Sequence, residues 1–261
     1  MSAAPIRFDD GAAYEQGMGI WSRLVGEVFL DWLAPPPNLS WVDVGCGNGA
    51  FTELLAARAA PGEINALDPS GAQLQFARGR PGLERATFQQ GGAEALPYAD
   101  HRFDAAVMAL VIFFVPDPAK GVSEMARVVR PGGLVCAYAW EIPEGIPFRP
   151  MIAELGALGI AHPLPPNPKA SRMGALQALW RGAGLERIET RAITVERRFP
   201  EFEDYWRAVT AMSATKPLLD AMSPADLDRL KQRVRGHLTA GPSGQVSFTG
   251  HANAIAGRVP G

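Results

Sequence analysis

Two cysteines and four histidines are all that 261 residues offer toward disulfides or transition-metal ligands. Cys46 and Cys136 stand far apart, in neither a CxxC nor a paired secreted pattern, which excludes a disulfide framework and points to a reducing compartment. The histidines are scattered without metal-ligand spacing, so no metal site is expected. A charge excess of one sign is also missing. Lys and Arg number 25 against 27 Asp and Glu, a formal net charge of -2, which removes the whole-chain positive field of a nucleic-acid or anionic-membrane binder. The longest apolar run, Ala105 to Pro116, falls short of the roughly 20 residues a membrane-spanning helix needs. The opening MSAAPIRFDDGAAYEQ lacks a basic segment followed by an apolar run, so no signal peptide is expected. The expectation is a soluble cytoplasmic protein with neither nucleic acid nor membrane as partner.

What is present is ordinary for a globular chain: 47% hydrophobic and 20% charged residues, long enough to bury a substantial core. Between Ala12 and Leu33, apolar residues (Met18, Trp21, Leu24, Val25, Val28, Phe29, Trp32) recur at helical spacing, and Pro35 to Pro37 end the run. The polar members of this helix are mostly acidic, which favours packing on the protein's own core over membrane anchoring. From Ser40 short apolar runs alternate with helical segments. WVDVG, EINALD, ATFQQG, FDAAVMALVIF and GLVCAYAW read as strands; 50–60, 71–79 and AKGVSEMARVV read as helices. Strands separated by single helices imply a parallel sheet covered on both faces, with ligands at the carboxyl ends of the strands.

After Trp140 the regularity breaks. Residues 141–172 carry seven prolines, including HPLPPNP, and read as a partly extended excursion. ALQALWRGAGL is helical and RIETRAITVERRF strand-like. Pro200 to Met212 and Ser223 to Leu238 read as helices of a second excursion, and GQVSFTGHANAIAGRV as a last strand. The basic run RLKQRVR, Arg229 to Arg235, reads as a solvated helix face.

Gly45, Gly47 and Gly49 sit at the first strand-to-helix junction, where a glycine loop brings backbone close to a ligand and aims free amides at it. Ala50 also completes a G-x-G-x-x-G/A dinucleotide pattern, so the glycines alone leave the cofactor open. Asp68, ending the second strand 23 residues after Gly45, is placed to take the two hydroxyls of a ribose. Asp43 separates the alternatives: an acid beside the loop repels a pyrophosphate but attracts the ammonium of a sulfonium amino acid, directly or through water.

At this point the sequence resembles the class I S-adenosylmethionine-dependent methyltransferases. VDVGCGNG looks like their first motif, and GGAEALPYADHRFDAAVMALVIFFVPDPAKGVSEMARVVRPGGLV is similar to the subgroup that holds quinone-biosynthesis and other small-molecule enzymes. The resemblance implies an α/β fold, a Rossmann-like seven-stranded mostly parallel sheet with helices on both faces and helical lid insertions. It also implies a single domain over 1–261: an N-terminal lid helix at 12–34, a cofactor core at 40–140, and substrate-lid insertions at 141–172 and 200–238. S-adenosyl-L-methionine would be the methyl donor, S-adenosyl-L-homocysteine the product, and a small molecule the acceptor.

Carried over by position, the resemblance puts Gly45, Cys46, Gly47 and Gly49 along the methionine part, Asp43 at its ammonium, and Asp68 with Pro69 at the ribose. Gly92, Ala93 and Glu94 match the segment bordering adenine, though Gly92 stands where the subgroup commonly has an Asp. Ala109 and Leu110 fall beside the methionyl moiety, and Tyr14 and Trp21 match lid-helix aromatics. Tyr138, Trp140 and Glu141 end the fifth strand near the expected methyl; Phe148, Tyr205 and Trp206 are expected to descend from the insertions onto a partly apolar or aromatic acceptor.

The reaction implied is displacement at the sulfonium methyl, in line with the leaving sulfur. It needs a base only if the acceptor must lose a proton it does not lose to water. No catalytic residue is assigned. His101 lies in a polar turn, His162 in the proline-rich excursion and His251 in the last strand, while Phe114 stands where many subgroup members have a histidine. Two alternatives stay in view. A nicotinamide-dependent oxidoreductase is disfavoured by Asp43 and by the lack of an evident Tyr-x-x-x-Lys pair; a non-catalytic S-adenosylmethionine-binding protein is left open by Phe114 and Gly92.

Overall fold

The computed structural model describes residues 18–212, 214–238 and 240–261. Tyr14 and the first part of the expected 12–34 helix lie outside the described residues. Helix α1 (Ile20–Leu33) buries Trp21, Val25 and Phe29, one residue per turn on one face. Gly26 lets it lie close to its neighbour, since a Cβ there would sit 2.7 Å from Leu54 Cδ2.

The alternation read from the sequence is realised as β1 (Ser40–Val44), α2 (Ala50–Ala59), β2 (Glu63–Asp68), α3 (Gly71–Arg78), β3 (Thr87–Gln90), β4 (Phe103–Ala109), α4 (Pro118–Val128) and β5 (Val129–Trp140). Side-chain caps start two of these helices: Ser70 accepts from the Gln73 amide at 3.3 Å, and Asp117, followed by Pro118, accepts from the Lys120 amide at 3.1 Å. The remaining elements are α5 (Arg149–Ala157), α6 (Met173–Gly182), β6 (Glu186–Phe199), α7 (Phe202–Thr210), α8 (Lys216–Asp220), α9 (Pro224–Arg235) and β7 (Val246–Arg258).

The seven strands form one sheet in the order β3-β2-β1-β4-β5-β7-β6, parallel except for β7, which runs antiparallel between β5 and β6. This is the Rossmann-like, mostly parallel sheet expected. The strand order reverses between β1 and β4, where Asp43 lies beside Val107. The carboxyl ends of these two strands diverge there and open a crevice. Central strands are buried on both faces, with Trp41, Phe103, Met108 and Tyr138 among the largest fully enclosed side chains.

The first insertion differs from the extended path expected for it. Pro143 and Pro147 precede α5 and the prolines of 163–168 follow it, so the run from Met151 is free to coil, and Pro150 sits in the first turn where its missing amide costs nothing. The five-residue α8 was also not anticipated. The two insertions are tied together: Glu154 on α5 pairs with Arg233 on α9 and with His237 at 2.6 Å. The basic run of α9 is largely matched by acids, with Lys231 at 2.6 Å from Glu203 and Arg229 at 3.5 Å from Asp226. Among the described residues no helix is long and apolar enough to cross a membrane.

Candidate active site

The loop between β1 and α2 has the backbone shape its glycines allow. Gly45, Gly47 and Gly49 all have positive φ, at 78°, 54° and 83°. At Gly45 the absence of a side chain is a packing requirement as well, because a Cβ would lie 2.5 Å from Val111 Cγ1. The Gly45 and Cys46 amides both donate to the Leu67 carbonyl, at 2.8 and 3.0 Å, and bind the loop to the end of β2. Arg80 braces it from the far side. Its Nε donates to the Asn48 carbonyl at 2.6 Å and its Nη1 meets Glu53 at 2.6 Å, with the Arg80 side chain only 10% exposed.

Two carboxylates flank the loop. Asp68 accepts from the Gly47 amide through Oδ2 (2.9 Å) and from the Ser70 amide through Oδ1 (2.8 Å). Each carboxylate oxygen retains acceptor capacity for a further hydroxyl. Burial raises the Asp68 pKa above its ordinary value against those two hydrogen bonds. Asp43 is fully buried behind the loop, on β1. One oxygen accepts from Thr52 Oγ1 at 2.7 Å, and the other, Oδ1, has no partner among the described residues. Burial pushes its pKa up to about 7, opposed by the Thr52 bond and assisted by the nearby charge of Asp68. Cys46 is likewise shifted well upward by burial and by the same two acids, so it is a thiol and not a ready nucleophile.

A cavity of about 660 Å³ opens over this loop. Of the residues expected at the cofactor, Gly45, Cys46, Gly47, Asp68, Pro69, Gly92, Ala93, Glu94, Ala109 and Leu110 all line it. Leu110 does so with a φ of 63°, its amide held by the Tyr138 carbonyl at 2.8 Å; this sharp turn ends β4 and throws the following residues over the crevice. A Cβ at Gly92 would meet nothing within 4 Å, and Glu94 uses Oε1 to accept from the Asp117 amide at 3.0 Å. Asp43, Gly49 and Trp21 are not in the lining: Asp43 lies behind it, Gly49 starts α2, and Trp21 packs edge-on against Trp140 at 6.5 Å.

Of the residues expected at the acceptor, Tyr138 lines the cavity, with its hydroxyl 3.5 Å from the Ser22 carbonyl. Trp140, Glu141, Phe148, Tyr205 and Trp206 are outside the lining. Tyr205 is enclosed by Phe199, Phe202 and Phe248, Trp206 packs on Phe202, and Phe148 packs on His162. Their apolar character reads correctly from the sequence, but the side of the helix they occupy depends on how the insertion docks. The histidines are elsewhere too. His101 precedes β4 at the end away from the cavity, His162 bonds Thr215, and His251 bonds Thr194.

The cavity also takes in Ser22, Asn48, Phe51, Ser70, Gln73, Gly91, Val111, Phe114, Val115 and Pro116, which were not assigned from the sequence. Several adjoin a recognised motif; the run FDAAVMALVIF, read as a strand to Phe113, leaves the sheet at Ala109, so that Val111 and Phe114 to Pro116 come to the cavity as loop.

The cavity fits an adenosylated amino acid on its own chemistry. An orphaned buried carboxylate oxygen on Asp43 calls for a cationic partner, Asp68 keeps capacity for ribose hydroxyls, and the Gly45 cradle would be filled by any side chain. A methyltransferase-domain family model matches residues 42–137. The chain is 41% identical over 99 residues to the chloroplastic 2-methyl-6-phytyl-1,4-hydroquinone methyltransferase 2 of Oryza sativa subsp. japonica, a stretch covering 38% of this chain and 28% of the rice protein. Its backbone superposes on a phosphoethanolamine N-methyltransferase 2 of Haemonchus contortus in complex with S-adenosyl-L-methionine, with a TM-score of 0.59 at 16% identity, covering all of this chain and 61% of the other. A third relative extends beyond the core: the malonyl-[acyl-carrier protein] O-methyltransferase of Methylococcus capsulatus is 30% identical over 213 residues, 80% of this chain and 75% of that protein. With that match spanning 80% of this chain, well beyond the residues of the domain model, the chain belongs to the class I S-adenosylmethionine-dependent methyltransferases.

Proposed function

We propose that this enzyme methylates a small, neutral, partly apolar or aromatic acceptor such as a phenol or hydroquinone. The observation that carries this reading is the make-up of the cavity wall. Phe51, Leu110, Val111, Phe114 and Tyr138 line one cavity with the glycine cradle, and no Lys, Arg or His is found in its lining among the described residues. An anionic acceptor, such as the malonyl group in the Methylococcus relative's name, would arrive there without a cation to meet it and beside two acids. A neutral ring loses little on leaving water for such a wall.

Bound S-adenosylmethionine supplies an already activated methyl; the acceptor's electron pair forms the new bond to that carbon as the carbon–sulfur bond breaks. The chain's own part is alignment and dehydration. Asp68 would hold the ribose hydroxyls, Asp43 would attract the ammonium from behind the loop through water, and the Gly92–Glu94 segment would border the adenine edge. Phe51, Phe114 and Tyr138 would exclude water and present the acceptor in line with the sulfur. Holding two reactants in that geometry is worth effective molarities of roughly 10⁵–10⁸ M in favourable cases; the proton that the phenol or hydroquinone gives up as the new bond forms goes to water, and no basic side chain is assigned to take it. Two free buried thiols support a reducing, cytoplasmic setting.

The test is a panel assay with methyl-labelled donor: simple phenols, prenylated hydroquinones, amines, and a malonyl thioester. Transfer to the phenols or hydroquinones is expected. Transfer to the malonyl carboxylate alone would overturn the neutral-acceptor reading.

A further inference from the structure

The cavity wall between β4 and α4 has no regular secondary structure, yet three of its carbonyls are taken by a single residue 51 to 54 positions away. Asn167, in the proline-rich HPLPPNP stretch, donates its backbone amide to Phe113 O at 3.0 Å and its two side-chain hydrogens to Val115 O at 2.7 Å and Pro116 O at 3.0 Å. Phe114, Val115 and Pro116 all line the cavity. Pro166 and Pro168 flank Asn167 and restrict the backbone that carries it.

The far end of this stretch is anchored as well. Ser171 is fully buried, its carbonyl accepts from Asn253 at 3.0 Å, and its hydroxyl accepts from the Ile142 amide at 3.3 Å. A rigid, anchored segment therefore reaches across and grips an irregular loop. An irregular loop held by few partners is otherwise the kind of segment that opens locally at low cost.

We propose that Asn167 is a positioning residue for the methyl-donor site: it sets the wall from Phe113 to Pro116 and so couples the first insertion to cofactor affinity. The three bonds converge on one wall segment, and that segment reaches Glu94, whose carboxylate holds the Asp117 amide next to Pro116. Asn167 acts through the loop and touches neither reactant. The inference rests on S-adenosylmethionine occupying this cavity.

Two full-length variants test it. Asn167→Ser deletes both side-chain donors to the loop; Asn167→Gln keeps an amide but displaces it by one methylene. Affinity for S-adenosyl-L-homocysteine is read by calorimetry, local opening by hydrogen exchange, and global stability by the thermal midpoint. Expected for both variants is faster exchange confined to residues 111–117, with β1 and β2 unchanged, and affinity weaker by about tenfold for two lost hydrogen bonds. Unchanged affinity in both overturns the proposal. So does exchange that rises throughout the sheet, or failure of both variants to fold, since either would show a role in general stability. Wild-type protein that binds no S-adenosyl-L-homocysteine would instead refute the donor assignment, and the exchange measurement would still judge the grip on the loop.

Discussion

Asp43, fully buried, carries a carboxylate oxygen with no hydrogen-bond partner among the described residues, and its pKa of about 7 against an ordinary 3.8 has a measurable consequence. Between about pH 4 and 7 the folded protein binds more protons at this site than the unfolded chain does. Stability of the ligand-free protein from this group is therefore greatest at low pH and is lost as pH rises through 7. Asp43→Asn should flatten that slope, which urea titrations across the window would show. A cationic ammonium favours the ionised acid, so binding S-adenosylmethionine near pH 6.5 should release a proton; calorimetry in two buffers of different ionisation enthalpy reads it, and no release would remove Asp43 from the ammonium. At Asp68 the expected loss is in affinity. Asp68→Ala deletes charge-assisted bonds worth roughly 1.5–3 kcal/mol each, a weakening of about tenfold or more, and unchanged binding would refute the ribose assignment.

At the scale of the element, the glycine loop separates two kinds of need for glycine. Gly45 and Gly47 share a left-handed backbone, but a Cβ at Gly45 would drive into Val111 at 2.5 Å while one at Gly47 meets nothing within 4 Å. Gly47→Ala should therefore cost only the left-handed penalty, roughly 1–2 kcal/mol, and Gly45→Ala clearly more, with the cavity wall displaced. Thermal unfolding of the pair checks the order; equal losses would mean that Val111 yields freely. Behind the loop, Arg80→Met leaves Glu53 and the Asn48 carbonyl short of a partner and should destabilise by about 1–3 kcal/mol, measurable in urea. Much at this scale was legible beforehand, because strand and helix periods are written in neighbouring residues. Helix α5 is hidden by the prolines crowded on both sides of it, although none falls between Met151 and His162.

For the whole molecule, a ligand that binds only the folded state raises stability by mass action. S-adenosyl-L-homocysteine at a hundred times its dissociation constant should add about 2.7 kcal/mol, lifting the thermal midpoint by roughly 5–10 °C for a chain of this size. NADH should leave the midpoint unmoved, and a shift with NADH would revive the nicotinamide reading.

The sequence by itself determined the alternating elements, the mostly parallel sheet and the loop from Asp43 to Gly49, since each depends on periodicity or on backbone angles that only certain residues adopt. It also named ten residues that the structure gathers around one cavity, because they follow strand ends whose order the right-handed crossovers constrain. Only the tertiary structure decided which aromatics face the cavity. Tyr138 reaches it from a central strand, while Tyr205 and Trp206 turn into their own cluster. It alone joined Asn167 to Phe113, Val115 and Pro116. Contacts across 50 residues leave no periodic trace in the chain; they exist only once packing has chosen how the insertions lie against the sheet.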